Sequence, residues 1–162
     1  MRILFVCHGN ICRSPMAEFI MKDILAQRGI ADRFEVASAA TSSEEIWGGV
    51  GNPVYPPARK ELAAHGIGVP GNELGVAEKQ ARKLVKEDYD RWDLLIGMER
   101  WNLRNMLRIC EGDPKGKMSL LLDHTDRPAD IDDPWYTRDF RAAYRQIRKG
   151  CLALLEELEG TR

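Results

Sequence analysis

Short apolar runs alternate with amphipathic stretches along the chain, a pattern typical of an α/β protein. The apolar runs predict four strands, at residues 3–6, 34–38, 93–98 and 117–122. Helical spacing predicts one helix that follows Ser14-Pro15 and stops at Gly29, and others at residues 58–65, 76–86, 99–110 and 137–158. Glycines, prolines and polar residues predict loops at 44–57, 66–75 and 123–135. Strands that alternate with helices favour parallel β-α-β units, so we expect an open parallel sheet covered on both faces.

The stretch from Ile3 to Pro15 carries the strongest chemical signal. An apolar strand, a short loop and a helix follow one another there, with Cys7 at the strand end and Arg13 where the helix begins. Loop N–H groups and a helix N-terminus that face one point form an anion site. The arginine would offer two parallel donors to the anion, and a thiolate beneath it would be a nucleophile.

The residues of this loop fit an anion site, although Cys7 taken alone would also fit a small core residue. Gly9 lets the backbone approach a ligand closely, and Asn10 tolerates the left-handed conformation while its side chain bonds the loop. Ser14 would cap the helix or donate a hydrogen bond to the sulfur. Such donors, together with the arginine, would stabilise a thiolate without a histidine base. We therefore expect His8 to point away from the anion and to have a structural role.

Composition narrows the class of protein. A chain of 162 residues, 44% hydrophobic and 30% charged, fits one globular domain, so residues 1–162 are assigned to a single domain. The net charge of −1 gives no support for nucleic-acid binding, and no run approaches the roughly 20 apolar residues of a membrane span. We expect a cytoplasmic protein with free thiols. The four cysteines and three histidines have no zinc-like spacing, so no metal is expected.

Two segments match a known family. Residues 6–15 read VCHGNICRSP and residues 133–136 read DPWY. The first resembles the Cys-x5-Arg-Ser/Thr signature of the low-molecular-weight protein tyrosine phosphatases, and the second is similar to their Asp-Pro-aromatic-Tyr acid loop. Residues 38–42 and 51–53 match as well, so the resemblance covers essentially the whole chain. It implies a three-layer α/β fold with a central four-stranded parallel sheet, of the flavodoxin-like or Rossmann-like type.

The resemblance also implies a reaction and assigns residues to it. Cys7 would attack the phosphorus of a phosphotyrosine monoester, Arg13 would hold the phosphoryl oxygens, and Asp133 would protonate the departing phenolate and then activate water. Asp132 is the alternative acid, but the family's acid directly precedes the proline. No cofactor or metal is required, because arginine and backbone amides carry the charge.

Further residues belong to the implied phosphate-binding loop and its support. The loop comprises His8, Gly9, Asn10, Ile11, Cys12 and Ser14, and Ser38 supports it. Phosphate and related oxyanions would bind there as inhibitors. Cys12 matches the family's second loop cysteine, which implies a reversible disulfide with Cys7 on oxidation.

Aromatic residues beside the acid point to the substrate. Trp135 and Tyr136 would form a wall for a phosphotyrosine ring, and a deep pocket favours phosphotyrosine over the shorter phosphoserine. Trp47 would either form the opposite wall or pack against the core. Glu44 and Glu45 stand where many members carry an aromatic residue, and they would repel highly acidic phosphopeptides.

Two apparent insertions, at residues 47–50 and 71–78, depart from the family's pattern. The family's histidine that joins the hydrogen-bond network of the loop has no match in this chain. Lys79 lies nearest in register, and the sequence leaves open how the network is completed.

Three other functions are compatible with part of the pattern. Thiol-coupled arsenate reductases share the fold and the loop, but they need two further cysteines on a mobile segment, whereas Cys110 and Cys151 lie in apolar helical patterns. Protein arginine phosphatases carry threonine at the position of Ile11, whose apolar side chain favours an aromatic ring over a guanidinium. A non-catalytic phosphate-binding module would need neither a nucleophile nor an acid. The sequence therefore favours a tyrosine phosphatase and leaves its phosphoprotein substrate open.

Overall fold

The computed structural model describes residues 1–160; residues 161 and 162, the end of the predicted domain, lie outside the described part. Its strands, numbered in chain order, are β1 (Arg2–Cys7), β2 (Glu35–Ala40), β3 (Ile46–Trp47), β4 (Val50–Gly51), β5 (Leu94–Gly97) and β6 (Met118–Leu120). Its α-helices are α1 (Arg13–Gln27), α2 (Pro56–Ala64), α3 (Asp88–Arg91), α4 (Arg100–Ile109), α5 (Pro134–Thr137) and α6 (Phe140–Gly160). Short 3-10 helices occupy Ala31–Arg33 and Leu121–His124.

The main sheet is centred on β1, and its strands lie in the order β2-β1-β5-β6 with every pairing parallel. β1 is buried on both faces, which explains its continuous apolar run. Ile3 and Phe5 pack with residues of α1, α2 and α6, whereas Leu4 and Val6 pack with residues of α3 and α4. The predicted three-layer fold with a four-stranded parallel sheet is therefore confirmed.

The strand order also fixes where a ligand binds. From β1 the chain runs to β2 on one side and later crosses to β5 on the other, so the carboxyl end of β1 is the topological switch point of the sheet. Crevices at such points are the usual ligand sites of open α/β sheets. Cys7 is the last residue of β1 and Arg13 the first of α1, so the loop between them lies at this point.

The predicted helix at residues 76–86 is wrong. Residues 79–84 instead pair with other segments: Ala40 N donates to Arg82 O at 2.7 Å, and Leu84 N donates to Ala40 O at 2.7 Å. Ala81 N donates to Asn52 O at 2.9 Å. These pairings and the complete burial of Leu84 outweigh a modest local helix propensity. The segment consequently lies beside the carboxyl end of β2, next to the site.

The predicted loop at residues 44–57 contains a short hairpin formed by β3 and β4. Gly48 and Gly49, at φ of 57° and 79°, form its two-residue turn, because both positions need the left-handed backbone that glycine adopts freely. Gly51 allows a close approach, since a Cβ there would lie 1.8 Å from Ala81 O. The hairpin is thereby fixed against the segment that replaces the predicted helix.

Some element boundaries differ from the predictions. β6 ends at Leu120, and the rest of the predicted strand forms the 3-10 helix. α5 begins at the end of the predicted loop and reaches the first residue of the predicted last helix, and Arg138, at φ of 61°, separates it from α6, which begins at Phe140. No helix among the described residues is long and apolar enough to cross a membrane.

Candidate active site

One cavity opens at the carboxyl end of β1 and gathers most of the residues that the sequence singled out. It is lined by Cys7, His8, Gly9, Asn10, Ile11, Cys12, Arg13, Glu44, Glu45, Asp133, Trp135 and Tyr136. Trp47 is absent from this lining and its side chain is 74% exposed at the end of β3, so it neither forms the expected wall nor packs against the core. The cavity thus combines a thiol, a guanidinium, a carboxyl group and two aromatic rings.

Cys7 lies at the base of the cavity and is almost fully buried. Its Sγ lies 3.0 Å from Ser14 Oγ and accepts a hydrogen bond from the backbone N–H of Asn10 at 3.3 Å. Ser14 Oγ itself accepts from Asn10 Nδ2 at 2.8 Å, so the serine hydroxyl proton is free to point at the sulfur. Both contacts stabilise a thiolate.

Asn10 holds the loop in shape from its left-handed position, at φ of 60°. Its Oδ1 accepts from the backbone N–H of Arg82 at 3.1 Å, which fixes the orientation of the amide. Its Nδ2 then donates to Ser14 and to Ser38 Oγ at 2.9 Å. The extended segment at residues 79–84 therefore takes part directly in shaping the loop.

Arg13 is 2% exposed, and its guanidinium is held from several sides. Nη1 donates to Ile131 O at 2.7 Å, and Nη2 lies 3.4 Å from both Glu99 Oε1 and Asp133 Oδ2. Burial opposes the charged guanidinium, but the negative charges of Cys7, Asp133 and Glu99 outweigh it and raise the pKa of Arg13. The Arg13 guanidinium is therefore held in place and permanently charged, and its planar set of N–H donors suits phosphoryl oxygens.

Asp133 reaches the cavity because it caps α5. Its Oδ1 accepts from Trp135 N at 3.0 Å, as an N-cap residue does, and its Oδ2 faces Arg13. Asp132 is exposed and does not line the cavity. Asp133, and not Asp132, therefore shares the cavity with the Cys7 thiol and the Arg13 guanidinium.

Trp135 and Tyr136 line the cavity as predicted, and Tyr55 supports Trp135 from behind the lining. Trp135 packs against Tyr55 with ring centroids 4.8 Å apart, and Arg138 lies over the Tyr55 ring at 5.4 Å. Tyr136 is 81% exposed at the rim. The tilted contact with Tyr55 supports Trp135, which lines the cavity.

We expected His8 to point away from the anion site, but this prediction is wrong, because His8 lines the cavity. It lines the mouth, and its Nε2 lies 3.0 Å from Glu44 Oε2. The loop does not continue the alternation of β1, so an extrapolation of strand geometry beyond Cys7 was misleading.

Lys79 joins the hydrogen-bond network that supports the loop. Its Nζ donates to Ser38 O at 3.0 Å and lies 3.7 Å from Glu18 Oε1. Ser38 Oγ donates to the same Glu18 oxygen at 2.6 Å, and Lys22 Nζ binds the other at 2.7 Å. Burial lowers the pKa of Lys79, and the carboxylate of Glu18 opposes that shift. A lysine and a glutamate thus complete the support of the loop.

The remaining cysteines have distinct surroundings. Cys12 lines the cavity, and its burial, together with the negative charge of Cys7, raises its pKa. Cys110 is buried at the C-terminal end of α4, where burial raises its pKa to about 11, and Cys151 is fully buried in α6. All four are free thiols, and no group of His, Cys, Asp or Glu in residues 1–160 is arranged to hold a metal ion.

Three contributors to the site were missed by sequence reasoning. Glu18 lies four residues after Ser14, so helical spacing places it on the same face of α1. Glu99 follows β5, which pairs with β1, so its position at the same edge of the sheet was also predictable. Tyr55 carried no local signal, because its contact with Trp135 joins segments 80 residues apart.

Comparison with known proteins defines the class to which this fold and site belong. The family model for low molecular weight phosphotyrosine protein phosphatase matches residues 2–162. A curated human relative, named low molecular weight phosphotyrosine protein phosphatase, is 35% identical over 164 residues, which cover 96% of this chain and 94% of the relative. The chain belongs to this family, and it is accordingly a phosphoric monoester hydrolase of the protein-tyrosine-phosphatase type.

Solved structures agree with this assignment. The crystal structure of YfkJ from Bacillus subtilis superposes with a TM-score of 0.87 at 30% identity, covering 100% of this chain and 96% of that one. The crystal structure of DARP, the drosophila arginine phosphatase, superposes with a TM-score of 0.82 at 30% identity, covering 98% of each chain. Solved structures similar to this chain therefore include one of an arginine phosphatase.

Replacement of Lys79 by methionine tests the support of the loop. We expect alkylation of Cys7 by iodoacetamide at neutral pH to slow about fivefold, because one buried hydrogen bond and a nearby positive charge are lost. Mass mapping of the Cys7 peptide measures the rate, and thermal unfolding shows whether the variant folds. Lys60→Met, which removes an exposed lysine from α2, is the matched control. An unchanged rate in a folded Lys79→Met protein would show that Lys79 does not act on Cys7.

Proposed function

We propose that this protein hydrolyses phosphotyrosine monoesters in proteins through a cysteinyl-phosphate intermediate. One observation carries the proposal: Cys7, the buried guanidinium of Arg13 and the carboxyl group of Asp133 line a single cavity that has Trp135 and Tyr136 on its side. A nucleophile, an oxyanion binder and a proton donor are the three groups that displacement at phosphorus requires.

In the first step the Cys7 thiolate attacks phosphorus in line with the departing oxygen. An S–P bond forms and the P–O bond to the tyrosine breaks, while the proton of Asp133 passes to the phenolate oxygen. Arg13 and N–H groups of the loop, other than that of Asn10, which donates to Cys7 Sγ, would bind the three equatorial oxygens and stabilise their charge throughout the transition state.

In the second step the Asp133 carboxylate accepts a proton from a water molecule, whose oxygen attacks phosphorus. The S–P bond breaks, and the electron pair returns to Cys7 as thiolate. Ser14 and the N–H of Asn10, at 3.0 and 3.3 Å from Sγ, stabilise the sulfur as a leaving group. Orthophosphate then leaves the loop, and the same donors would bind phosphate or a related oxyanion as an inhibitor.

The lining of the cavity favours phosphotyrosine over phosphoserine as the substrate. Cys7 is only 4% exposed, so a phosphoryl group must pass the cavity mouth to reach it. The long phosphotyrosine side chain does so with its ring beside Trp135, whereas phosphoserine is shorter by the length of the ring. Ile11 adds an apolar contact to the lining.

Protein arginine phosphatase activity is the second candidate, and the similarity to DARP supports it. Against it stands Ile11, whose side chain offers a guanidinium no hydrogen-bond acceptor. Thiol-coupled arsenate reduction is a weaker candidate, since Cys110 and Cys151 are buried in α-helical surroundings and cannot serve as a relay without unfolding.

A substrate panel separates these functions. We expect selective turnover of a phosphotyrosine peptide over matched phosphoarginine and phosphoserine peptides, with phosphate release as the readout and arsenate reduction measured alongside. Preference for the phosphoarginine peptide would overturn the proposal in favour of the second candidate, and arsenate reduction would favour the third.

The variant Ile11→Thr tests how the pocket selects its substrate. A hydroxyl group in place of apolar surface should raise the ratio of phosphoarginine to phosphotyrosine turnover about tenfold. Ile11→Val keeps the surface apolar and should keep the wild-type ratio. Equal ratios in the threonine and valine variants would show that position 11 does not discriminate.

A further inference from the structure

We propose that Glu44 and Glu45 select phosphotyrosine substrates that carry a basic residue, arginine or lysine, close to the phosphotyrosine. This inference rests on the proposed function and names the substrate class of that same site. It goes beyond the repulsion of acidic peptides, because it assigns a partner to the two carboxylates.

The two carboxylates belong to the wall of the catalytic cavity. Glu44 and Glu45 line it together with the phosphate-binding loop. The Glu45 side chain packs closely against Gly9, since a Cβ built on that glycine would lie 3.3 Å from Glu45 Cγ. Glu45 Oε2 also accepts a hydrogen bond from Asn52 Nδ2 at 2.7 Å. A side chain held in this way presents its charge at one place, with little loss of entropy on binding.

Glu44 remains open to a substrate. Its side chain is 69% exposed, and its Oε2 lies 3.0 Å from His8 Nε2. Its Oε1 has no hydrogen-bond partner among residues 1–160. The carboxylate can therefore accept from a ligand cation without breaking the contact with His8.

The balance of charge at the mouth favours a cation. Among the described residues that line the cavity, Arg13 is the one lysine or arginine, and it is buried and directed at the phosphoryl group. Glu44 and Glu45 contribute negative charge, whereas Asp133 faces Arg13 and carries the proton that the first step needs. Once a phosphoryl dianion occupies the loop, Arg13 is neutralised, so the rim attracts a positive flanking residue.

Trp47 provides a separate observation for the same ligand chemistry. It follows Glu45 by two residues, so its Cα lies within about 7 Å of that of Glu45. Its ring is exposed at the end of the hairpin. An exposed indole face attracts arginine and lysine, which reach it along the apolar part of their own side chains. Carboxylates and indole together suit a cationic side chain better than an apolar or acidic one.

Three phosphotyrosine peptides of equal length test the inference, with neutral, arginine or aspartate residues on both sides of the phosphotyrosine. We expect kcat/KM to be on the order of tenfold higher for the arginine peptide than for the aspartate peptide at low salt. The ratio should fall as salt is added, because the charges at the mouth are partly exposed.

Carboxamide variants locate the effect. Glu44→Gln and Glu45→Gln should each lower the arginine-to-aspartate ratio about two- to threefold, and the double variant should bring it near one. Trp47→Ala should lower it by a smaller factor. Glu35→Gln is the matched control: Glu35 lies at the opposite end of β2, roughly 16 Å from its carboxyl end, and its carboxylate pairs with Arg2 Nε at 2.8 Å, so the ratio should stay near the wild-type value.

The outcomes separate this inference from the proposed function. Equal kcat/KM for the three peptides, or a ratio that neither glutamate variant changes, would overturn the inference and leave the proposed function intact. Absence of turnover for every phosphotyrosine peptide would overturn both.

Discussion

Replacing Cys7 by serine is expected to abolish turnover of every phosphate ester. A serine hydroxyl is far less acidic than a thiol, so it supplies almost no anion at neutral pH, and the hydrogen bonds that stabilise a thiolate do not make it a comparable nucleophile. Removal of the nucleophile costs on the order of 10⁶ in kcat in another enzyme with a covalent intermediate. We therefore expect kcat to fall by at least about 10⁴-fold.

The rest of the site should survive this substitution. Oxygen is smaller than sulfur, and Ser14 and the Asn10 N–H remain as hydrogen-bond partners. Phosphate binding, measured by calorimetry, should persist because Arg13 and the loop amides are unchanged. Cys110→Ala, which removes a thiol from the opposite layer, should keep kcat within about twofold. Activity of Cys7→Ser above about 1% of wild type would contradict a cysteinyl-phosphate intermediate.

The sequence predicted those parts of the fold and site that depend on local order. β1, the loop and α1 are consecutive, so Cys7 and Arg13 were placed correctly from spacing alone. Parallel pairing followed from the alternation of strands and helices. Asp133 was assigned to the site through the resemblance, since nothing in its local sequence pattern indicates that its carboxyl group faces Arg13.

The errors arose where long-range contacts override local preference. Residues 79–84 read as part of a helix, but their backbone groups pair with Ala40 and Asn52, which are far away in sequence. Trp47 was expected either to form the opposite wall of the cavity or to pack against the core, whereas the Gly48-Gly49 turn places it at an exposed hairpin end. In both cases the deciding interaction lies outside the window that sequence periodicity covers.

Replacing Asp133 by asparagine should slow turnover according to the leaving group. A phenolate with a pKa near 10 leaves poorly without a proton, so kcat/KM for a phosphotyrosine peptide should fall by about 10²- to 10⁴-fold. A nitrophenyl phosphate releases a much weaker base and should lose less. The asparagine side chain can still accept from Trp135 N, so the cap of α5 and the position of the loop are preserved.

The same variant should trap the intermediate. With a good leaving group the first step proceeds, but no carboxylate is left to activate water, so a phosphorylated Cys7 should accumulate and be detected by mass spectrometry after an acid quench. Asp132→Asn is the matched control, since that exposed carboxyl group lies outside the cavity, and it should keep both rates within about twofold. The leaving-group comparison uses kcat/KM, which reports the first step alone, because hydrolysis of the intermediate is common to both substrates. Equal losses of kcat/KM for the two substrates would contradict the assignment, since only an acid that donates its proton to the departing oxygen makes this rate depend on the basicity of that oxygen. A loss in Asp132→Asn as large as in Asp133→Asn would also contradict it.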